Sequence, residues 1–346
     1  MMTHSHIQIG KEIGDVAEET LRFFAQIGVE AVGMPTRFTT TPGANPTTRP
    51  LIPPAQTRPA PALTMPWDEE EMRAIKERTE AFGLAVATAN LPLSGAIMMG
   101  QPERAADLEI VKANIATAGR LGIPTLTYNF TALRASEGYG ARYGGGRGGA
   151  DWRDFDHARI ADLPPLDVVG EHSLEAMWER IGEFLHAVIP VAENAGVRLA
   201  VHPNDPPVPV YRGVAQPLGD LDGLKRLVDV IDSPSNCVFF DTGVTTEMGE
   251  DAAAAIHYFG QRNRIGAVHF RNVRVETPHY KYVETFHDNG DCDMAGCMKA
   301  LHAVGYRGPI YPDHTPHISG DMPLTRAGWA FAIGQIIGLR AMLLGS

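Results

Sequence analysis

The hydrophobic pattern of the chain consists of eight short apolar runs that alternate with segments of helical periodicity. Continuous apolar runs, rather than strict alternation of apolar and polar positions, are typical of parallel strands covered on both faces. Several of the runs are rich in β-branched or aromatic residues, which favour strands. The pattern predicts strands at His6–Gly10, Val29–Met34, Leu84–Asn90, Ile123–Phe130, Val197–His202, Cys237–Asp241, Ile265–Phe270 and Pro309–Asp313.

Helical segments lie between these strands. Gly122 and Gly196 each follow such a segment, at the position where glycine commonly ends a helix. The predicted helices are Asp15–Ile27, Asp68–Phe82, Pro102–Leu121, His172–Ala195, Leu221–Val230, Asp251–Phe259, Asp293–Val304 and a C-terminal segment, Leu324–Leu344. Repeated strand–helix units predict an α/β fold, a single-domain (β/α)8 TIM barrel over residues 1–346 with long βα loops.

Two segments interrupt the alternation of strands and helices. Pro42–Pro66 holds eight prolines in 25 residues, which predicts an extended loop, and an ordinary insertion remains an alternative reading. Gly138–Gly149 holds seven glycines in 12 residues and lacks the Gly-Lys-Ser/Thr ending of a phosphate loop. Because both segments follow the carboxyl ends of strands, where barrel active sites are built, we expect the Gly-rich segment to be a flap over the site.

Composition narrows the class of function. A net charge of −11 argues against nucleic acid or an anionic membrane as the main partner. The three cysteines form no Cys-x-x-Cys pair, and no window approaches 18 consecutive apolar residues. These features predict a cytoplasmic enzyme that acts on a small molecule, and the apolar C-terminal helix predicts packing on the barrel or in a homo-oligomer.

Four consecutive predicted strands end in or beside a side chain that can bind a metal, namely His202, Asp241, His269 and Asp313. A barrel brings the carboxyl ends of its strands onto one rim, so these side chains can converge. One such histidine or aspartate alone is usually structural, but four on successive strands are hard to explain in that way. Two imidazoles and two carboxylates suit a divalent ion such as Mn²⁺, Fe²⁺, Mg²⁺ or Zn²⁺.

Polar residues immediately after the ligand positions are candidates for substrate binding or proton transfer. Asp205, His287 and His314 are candidate catalytic groups, and loop hydrogen bonding is the alternative role. The candidates for binding substrate are Asn204, Arg271 and Asn272. Arginines on the predicted rim loops can clamp a carboxylate, and the sequence does not rank them: Arg134, Arg142, Arg147 and Arg212.

The ordered motifs resemble the D-mannonate dehydratase family of the xylose-isomerase-like barrel superfamily. The resemblance runs from about Trp67 to the C-terminus, and the motif set is specific in order and spacing. The motifs are His202-Pro-Asn-Asp-Pro-Pro207, Asp241-Thr-Gly243, His269-Phe-Arg-Asn272, His287-Asp-Asn-Gly-Asp-Cys-Asp-Met294, Pro312-Asp-His314 and Tyr128-Asn-Phe130.

The resemblance implies a lyase that uses Mn²⁺ or Fe²⁺ to remove water from a mannonate-like sugar acid, giving a 2-keto-3-deoxy acid. It implies that His202, Asp241, His269 and Asp313 bind the metal and that His314 is catalytic. It also adds Tyr128 and Asn129 to the candidate substrate-binding residues.

The chain departs from the family pattern at several positions. Asp241 stands where the family usually has Cys, which favours a harder ion, Mn²⁺ or Mg²⁺. Asn204, Tyr311 and Trp329 replace the family's usual Asp, Arg and catalytic Tyr. Because indole does not act as a proton donor of the phenol type, a metal-dependent sugar isomerase or epimerase on the same barrel stays open as the alternative.

Two further functions agree less well with the sequence. A metal-dependent phosphodiesterase or endonuclease of the same superfamily requires more Glu and His ligands and a basic surface, which the net charge opposes. A non-catalytic binding protein does not explain the set of His and Asp residues at strand ends.

Overall fold

The computed structural model describes residues 6–43, 58–134, 137–321 and 324–344. Eight parallel strands close into a barrel, and each strand pairs with its neighbours in chain order. All eight predicted strands are confirmed, within two residues at each end. The barrel strands, labelled β1 to β8, are Gln8–Glu12, Ala31–Met34, Ala85–Asn90, Thr125–Asn129, Arg198–His202, Asn236–Asp241, Ile265–His269 and Pro309–Tyr311.

The helices surround the barrel, and their ends follow the predicted capping signals. The Asp68 side chain accepts hydrogen bonds from the amides of Glu70 and Glu71. Gly122 and Gly196 adopt left-handed conformations at helix C-termini, with φ of 68° and 66°. The helices, α1 to α10, are Glu18–Gln26, Glu69–Glu80, Gly95–Met99, Arg104–Leu121, Leu174–Ala195, Leu221–Val230, Thr242–Glu247, Ala252–Gln261, Met294–Ala303 and Arg326–Leu344.

Short elements occupy the loops on the carboxyl side of the barrel. Residues 44–57 of the predicted Pro-rich loop lie outside the described residues. In its described part, the loop contains the short strand Arg58–Pro59, which pairs with Leu133–Arg134. The other short elements are the hairpin strands Val210–Tyr211 and Val214–Ala215 and the 3-10 helices Arg147–Gly149 and His157–Arg159.

A second sheet, which the sequence analysis did not predict, lies in these same loops. We call it the accessory sheet; its four antiparallel strands are, in order, Asn272–Thr277, Lys281–Thr285, Trp152–Asp156 and Tyr139–Arg142. The Gly-rich segment, predicted as a flap, thus contributes a strand to it. Residues that follow β4 and residues that follow β7 are thereby joined.

The interior of the barrel is packed with side chains rather than open. Ala200, Cys237, Phe239, Ala267 and Tyr311 form one buried cluster. Small residues make room for the rings: a Cβ at Gly10 would lie 2.4 Å from the ring of Tyr311. Phe239 belongs to the uppermost part of this cluster, because its ring centroid lies 4.0 Å from that of His269.

The C-terminal helix α10 packs on the barrel. Trp329, Ile333 and Ile336 are buried, and Arg340 forms an ion pair of 2.7 Å with Glu30. The three cysteines are free and buried. Among the described residues, no helix has both the length and the apolar character that a membrane crossing requires.

Candidate active site

Strand register brings the candidate ligands to one rim. Asp241 at the end of β6 is the register partner of His269 at the end of β7. His202 at the end of β5 pairs in the same way with Asn129 of β4. All three candidate ligands on β5, β6 and β7 are buried, so their side chains have little freedom to leave the rim.

Three candidate ligand atoms form a tight triangle. His202 Nε2 lies 3.1 Å from His269 Nδ1 and 3.3 Å from Asp241 Oδ2. The third side, from His269 Nδ1 to Asp241 Oδ2, is 3.5 Å. Ligand atoms about 2.1 Å from one ion lie about 3.0 Å apart at right angles and about 3.4 Å apart at tetrahedral angles. The triangle therefore has the dimensions of one face of a metal coordination shell.

Each imidazole in the triangle is oriented by a partner on its other nitrogen. His202 Nδ1 lies 2.8 Å from the carbonyl oxygen of Pro203, and His269 Nε2 lies 2.9 Å from Oε2 of Glu12. With the proton on these outer nitrogens, each ring presents a lone pair to the centre, as metal-binding histidines do. Glu12 was missed because the first strand was predicted to end at Gly10.

Asp313 lies beside this triangle. Its Oδ2 is 3.8 Å from His269 Nδ1. Asp313, Glu12 and His269 also form a second group whose ligand atoms lie within 4.8 Å of one another. Burial lowers the pKa of His269, but Asp313 and Glu12 outweigh that effect and raise it to about 10. The carboxylates thus make the centre attract positive charge, which fits a divalent cation.

Arg271 is predicted to bind substrate, but the structure surrounds it with carboxylates. Its three nitrogens lie 3.0 Å from Asp241 Oδ2, 2.8 Å from Glu247 Oε1 and 3.2 Å from Asp205 Oδ2. Burial opposes the ionisation of Asp241, but Arg271 and the two imidazoles hold its pKa well below the usual range. Burial raises the pKa of Glu247 well above the usual range. Arg271 therefore neutralises the rim rather than facing the substrate space.

Asp205 is held from the accessory sheet as well as from the rim. Its Oδ1 accepts hydrogen bonds from the hydroxyls of Tyr139, at 2.6 Å, and Tyr282, at 3.2 Å. Arg271 donates to its other oxygen. The sequence analysis missed both tyrosines. Tyr282 lies in a run that, with Asn272–Thr277, has the hairpin pattern of two alternating runs separated by three residues; Tyr139 lies in the Gly-rich segment and has no such signal.

A cavity of about 570 Å³ opens next to the triangle. His202, His269, Asp313, Asp205 and Glu12 line one side of it. The other side is neutral and comes from the strand ends and loops of β3 and β4. Its polar and apolar members include Asn90, Thr127, Asn129, Thr131, Leu91, Leu93 and Leu133. The cavity can therefore hold a polar molecule with a metal-binding group at one end.

Two of the asparagines predicted to bind substrate form hydrogen bonds within the loops. Asn204 accepts a hydrogen bond from the amide of Leu218 and donates to Thr131. Asn272 donates to the carbonyl oxygens of His287 and Cys292. Because loop contacts use these amides, neither residue lines the cavity within the described chain. Asn129, the third predicted amide, does line it.

Tyr128 and His287 are buried in the protein next to the site. The ring of Tyr128 packs at 5.4 Å from Phe184 of α5, in the helix layer, although the residue borders the cavity. Burial lowers the pKa of His287 to about 4, so this ring is neutral at neutral pH. His287 is not among the described residues that line the cavity.

His314 lies behind Asp313 as seen from the cavity. Its Nε2 is 3.1 Å from Oδ2 of Asp313. Its ring is buried and, within the described chain, it does not line the cavity. This arrangement puts a titratable ring next to a candidate ligand, on the side that faces the accessory sheet.

The candidate arginine clamps are engaged elsewhere. Arg142 pairs with Asp154 and Glu276, Arg147 pairs with Asp288 and Arg212 pairs with Glu137. The side chain of Arg134 lies outside the described residues.

Two of the positions that depart from the family pattern are structural. The Tyr311 hydroxyl lies 2.9 Å from Thr88 Oγ1 inside the barrel. The buried Trp329 ring lies 4.0 Å from Nζ of Lys11.

Comparisons with known proteins identify sequence relatives of this chain. Residues 164–344 match the family model described as D-mannonate dehydratase (UxuA). A mannonate dehydratase of Streptococcus equi subsp. zooepidemicus is 30% identical over 290 residues, which cover 75% of this chain and 78% of that protein. Mannonate dehydratase 2 of Halalkalibacterium halodurans is 27% identical over 289 residues, covering 74% and 81%.

Solved structures share the fold. The crystal structure of mannonate dehydratase from Streptococcus suis serotype 2 superimposes with a TM-score of 0.80 over 99% of this chain and 97% of that one, at 24% identity. A 3-keto-D-glucoside 4-epimerase from E. coli gives a TM-score of 0.59 over 97% and 99%, at 15% identity. The predicted barrel is confirmed.

Proposed function

Because the chain belongs to the D-mannonate dehydratase family, we propose that it is a hydro-lyase that converts a mannonate-like aldonic acid to a 2-keto-3-deoxy acid. The observation that carries the proposal is the triangle of His202, Asp241 and His269, of which His202 and His269 line the cavity. It supplies a place for a cation beside a space of the size and polarity of a sugar acid.

His202, Asp241, His269 and Asp313 would hold the metal ion. Their nitrogen and oxygen donors suit Mn²⁺ best, with Fe²⁺ and Mg²⁺ as alternatives. None of the four is a cysteine, whose thiolate would favour a softer ion. When bound, such an ion would polarise the substrate carboxylate and stabilise charge that develops at the neighbouring carbon.

The reaction needs two proton movements. A base takes the proton on C2, and an acid protonates the hydroxyl that leaves C3 as water; the enol that remains tautomerises to the 2-keto acid. We assign one of them to Asp205, which lines the cavity. On the family resemblance we assign the other to His314, which contacts the cavity wall through Asp313. His287 does not line the cavity among the described residues, so we assign no proton transfer to it.

The neutral side of the cavity would bind the polyol end of the substrate. Asn129 and Asn90 offer amide donors and acceptors there, and Thr131 offers a hydroxyl. Because the described residues of this wall carry no lysine or arginine, we expect an uncharged tail rather than a second acidic group.

Product analysis tests the proposal. The purified chain, loaded with Mn²⁺, should convert D-mannonate to a product lighter by one water, with a methylene at C3 that is visible by NMR. The chelator-treated protein is the control and should be inactive until Mn²⁺ is restored. A product with the mass of the substrate would instead identify an isomerase or epimerase, and would overturn the dehydratase assignment.

A further inference from the structure

The accessory sheet carries a row of three aromatic rings on one of its faces. Tyr139, Phe155 and Tyr282 are register partners on three adjacent strands, and residues directly opposite on antiparallel strands share a face. The ring centroids are 5.2 Å apart between Tyr139 and Phe155 and 5.4 Å apart between Phe155 and Tyr282. All three residues are buried. Strand pairing therefore fixes the two outer rings relative to each other.

The two outer rings end in hydroxyls that converge on one oxygen atom. Tyr139 donates to Oδ1 of Asp205 at 2.6 Å, and Tyr282 donates to the same oxygen at 3.2 Å. The two hydroxyls lie 3.3 Å apart. A carboxylate oxygen has two lone pairs, so it can accept both hydrogen bonds. Because Arg271 donates to Oδ2 at 3.2 Å, Asp205 is held by both of its oxygens.

The packing of the row does not depend on these hydroxyls. Phe155 fills the central position without one, and its residue is fully buried. Burying a hydroxyl costs free energy unless the group forms a hydrogen bond, so phenylalanine at the outer positions would be the simpler choice for stability. Both hydroxyls instead donate to Asp205, a carboxylate that lines the cavity. This arrangement points to a role for the two hydroxyls at the site.

The Gly-rich segment supplies one of the two tyrosines. Gly138, directly before Tyr139, has a φ of 89°, and a Cβ there would lie 2.5 Å from the ring of Phe155. Glycine thus lets the strand approach the row closely. On the other side, the guanidinium of Arg153 lies 3.9 Å over the ring of Tyr139, and Arg153 is itself buried and paired with Glu284. The ring of Tyr139 is therefore held in place by its neighbours.

We propose that Tyr139 and Tyr282 are positioning residues of the dehydratase, whose hydroxyls hold the carboxylate of Asp205 in the orientation in which it lines the cavity. The inference rests on the function proposed above, in which Asp205 moves a proton. Proton transfer requires a closely defined geometry, and a misplacement of about 1 Å can lower a rate about 10²-fold. Within the described chain, neither tyrosine lines the cavity, so both act through Asp205 rather than on the substrate.

The first test is the replacement of each tyrosine by phenylalanine in the full-length, Mn²⁺-loaded enzyme with D-mannonate. Both variants keep the ring and its packing, so they should fold. Tyr139→Phe loses the shorter hydrogen bond and should lower kcat about 10-fold, Tyr282→Phe about 3-fold and the double variant about 10²-fold. KM and metal content should stay at wild-type values. Wild-type kcat in a folded Tyr139→Phe variant would overturn the proposal.

Tyr143→Phe is the matched control. Tyr143 lies in the same Gly-rich segment, but its side chain is exposed, and its kcat should equal that of the wild type. A loss as large as that of Tyr139→Phe would show that any change of tyrosine in this segment slows the reaction, and the specific role of Tyr139 would be refuted.

A double-variant cycle separates positioning from a structural role in the sheet. Asp205→Asn keeps the shape of the side chain and removes its charge. If Tyr139 acts through Asp205, then Tyr139→Phe should have no further effect on the residual activity of Asp205→Asn. The same fold-loss in both backgrounds would mean that Tyr139 supports the sheet independently of Asp205, which contradicts the proposal.

Crystal structures of the wild type and of Tyr139→Phe provide a readout besides activity. The carboxylate of Asp205 should have one orientation in the wild type and should rotate, or occupy two orientations, in the variant. An unchanged single orientation would refute the positioning role. If the wild type makes no 2-keto-3-deoxy acid, the proposed function fails, and these structures still decide whether the hydroxyls hold Asp205.

Discussion

The barrel rim and the accessory sheet both bring charge to the same cavity, but they anchor it differently. On the rim, three of the four candidate ligands sit at strand ends and are held by direct partners. His202 contacts a carbonyl oxygen, His269 contacts Glu12, and Asp241 accepts from the amide of Val244 and from Arg271. In the accessory sheet, the side chains reach the cavity through chains of partners, such as Arg153 and Glu284 behind His314.

The difference suggests a division of labour. The rim residues point donor atoms at one centre, which is what a cation needs. The accessory-sheet residues end on Asp205 and His314, which are groups that can move protons. Variants of the rim should therefore lose metal and activity together, whereas variants of the accessory sheet should lose activity and keep metal.

The largest expected effect comes from breaking the rim. His269→Ala removes one corner of the triangle, and bound Mn²⁺ should fall below detection by elemental analysis. Activity should fall at least about 10³-fold, since metal coordination contributes several kcal/mol to the transition state. His186→Ala, on the exposed face of α5, is the matched control. Full metal content in His269→Ala would contradict the assignment of the centre.

A smaller loss should follow from Glu12→Gln. The amide oxygen of Gln still accepts a hydrogen bond from His269 Nε2, but it no longer makes the imidazole as basic. Removing such a supporting carboxylate typically weakens metal affinity about 10- to 100-fold. Titration calorimetry with Mn²⁺ measures this affinity. Glu284→Gln, the same change in the accessory sheet, should leave the affinity unaltered; equal losses in both variants would erase the proposed division of labour.

The sequence predicts the barrel because each strand carries its own signal. Buried parallel strands are continuous apolar runs, and all eight lie within two residues of their predicted bounds. The candidate ligands follow from the same signal, since the last residues of a barrel strand lie at the rim. Glu12 was not predicted to lie at the site, because Lys11 and Glu12 have the charges typical of the start of a loop. Only closure of the barrel shows that β1 continues through them.

The accessory sheet could not be placed from sequence alone. Its pairing between Lys281–Thr285 and Trp152–Asp156 joins segments more than 100 residues apart, and no local pattern sets that register. The same holds for Asn204, Arg271 and Asn272, which looked available to substrate. Whether a polar side chain faces a cavity or satisfies a loop depends on partners that only the tertiary structure supplies.

The protonation of His269 gives a sharper test of the metal-binding role proposed for the rim. With a pKa of about 10, His269 is protonated in the metal-free protein at neutral pH, whereas a metal ligand must be neutral. Binding of Mn²⁺ should therefore release about one proton, and affinity should rise about tenfold per pH unit up to the pKa. Calorimetry in two buffers of different ionisation enthalpy counts the protons. A binding enthalpy independent of the buffer would mean that His269 is not a ligand.

The smallest expected effect concerns Asp241, which has two functions. Its Oδ1 accepts a hydrogen bond from the amide of Val244 and caps α7, while its Oδ2 points into the triangle. Asp241→Cys introduces the residue usual in the family. A single sulfur cannot serve both functions, so unfolding free energy should fall by about 1 kcal/mol through loss of the cap.

The same variant should change metal preference, because a thiolate favours Zn²⁺ or Fe²⁺ over Mn²⁺. Asp251→Cys is the matched control: Asp251 caps α8 in the same way, away from the rim, so it should lose similar stability and keep the wild-type preference. Competition between Zn²⁺ and Mn²⁺ in the two variants distinguishes the cap from the coordinating atom. If both variants had the same metal preference, the role of Asp241 would be limited to capping α7. The metal would then be coordinated by the two histidines and Asp313.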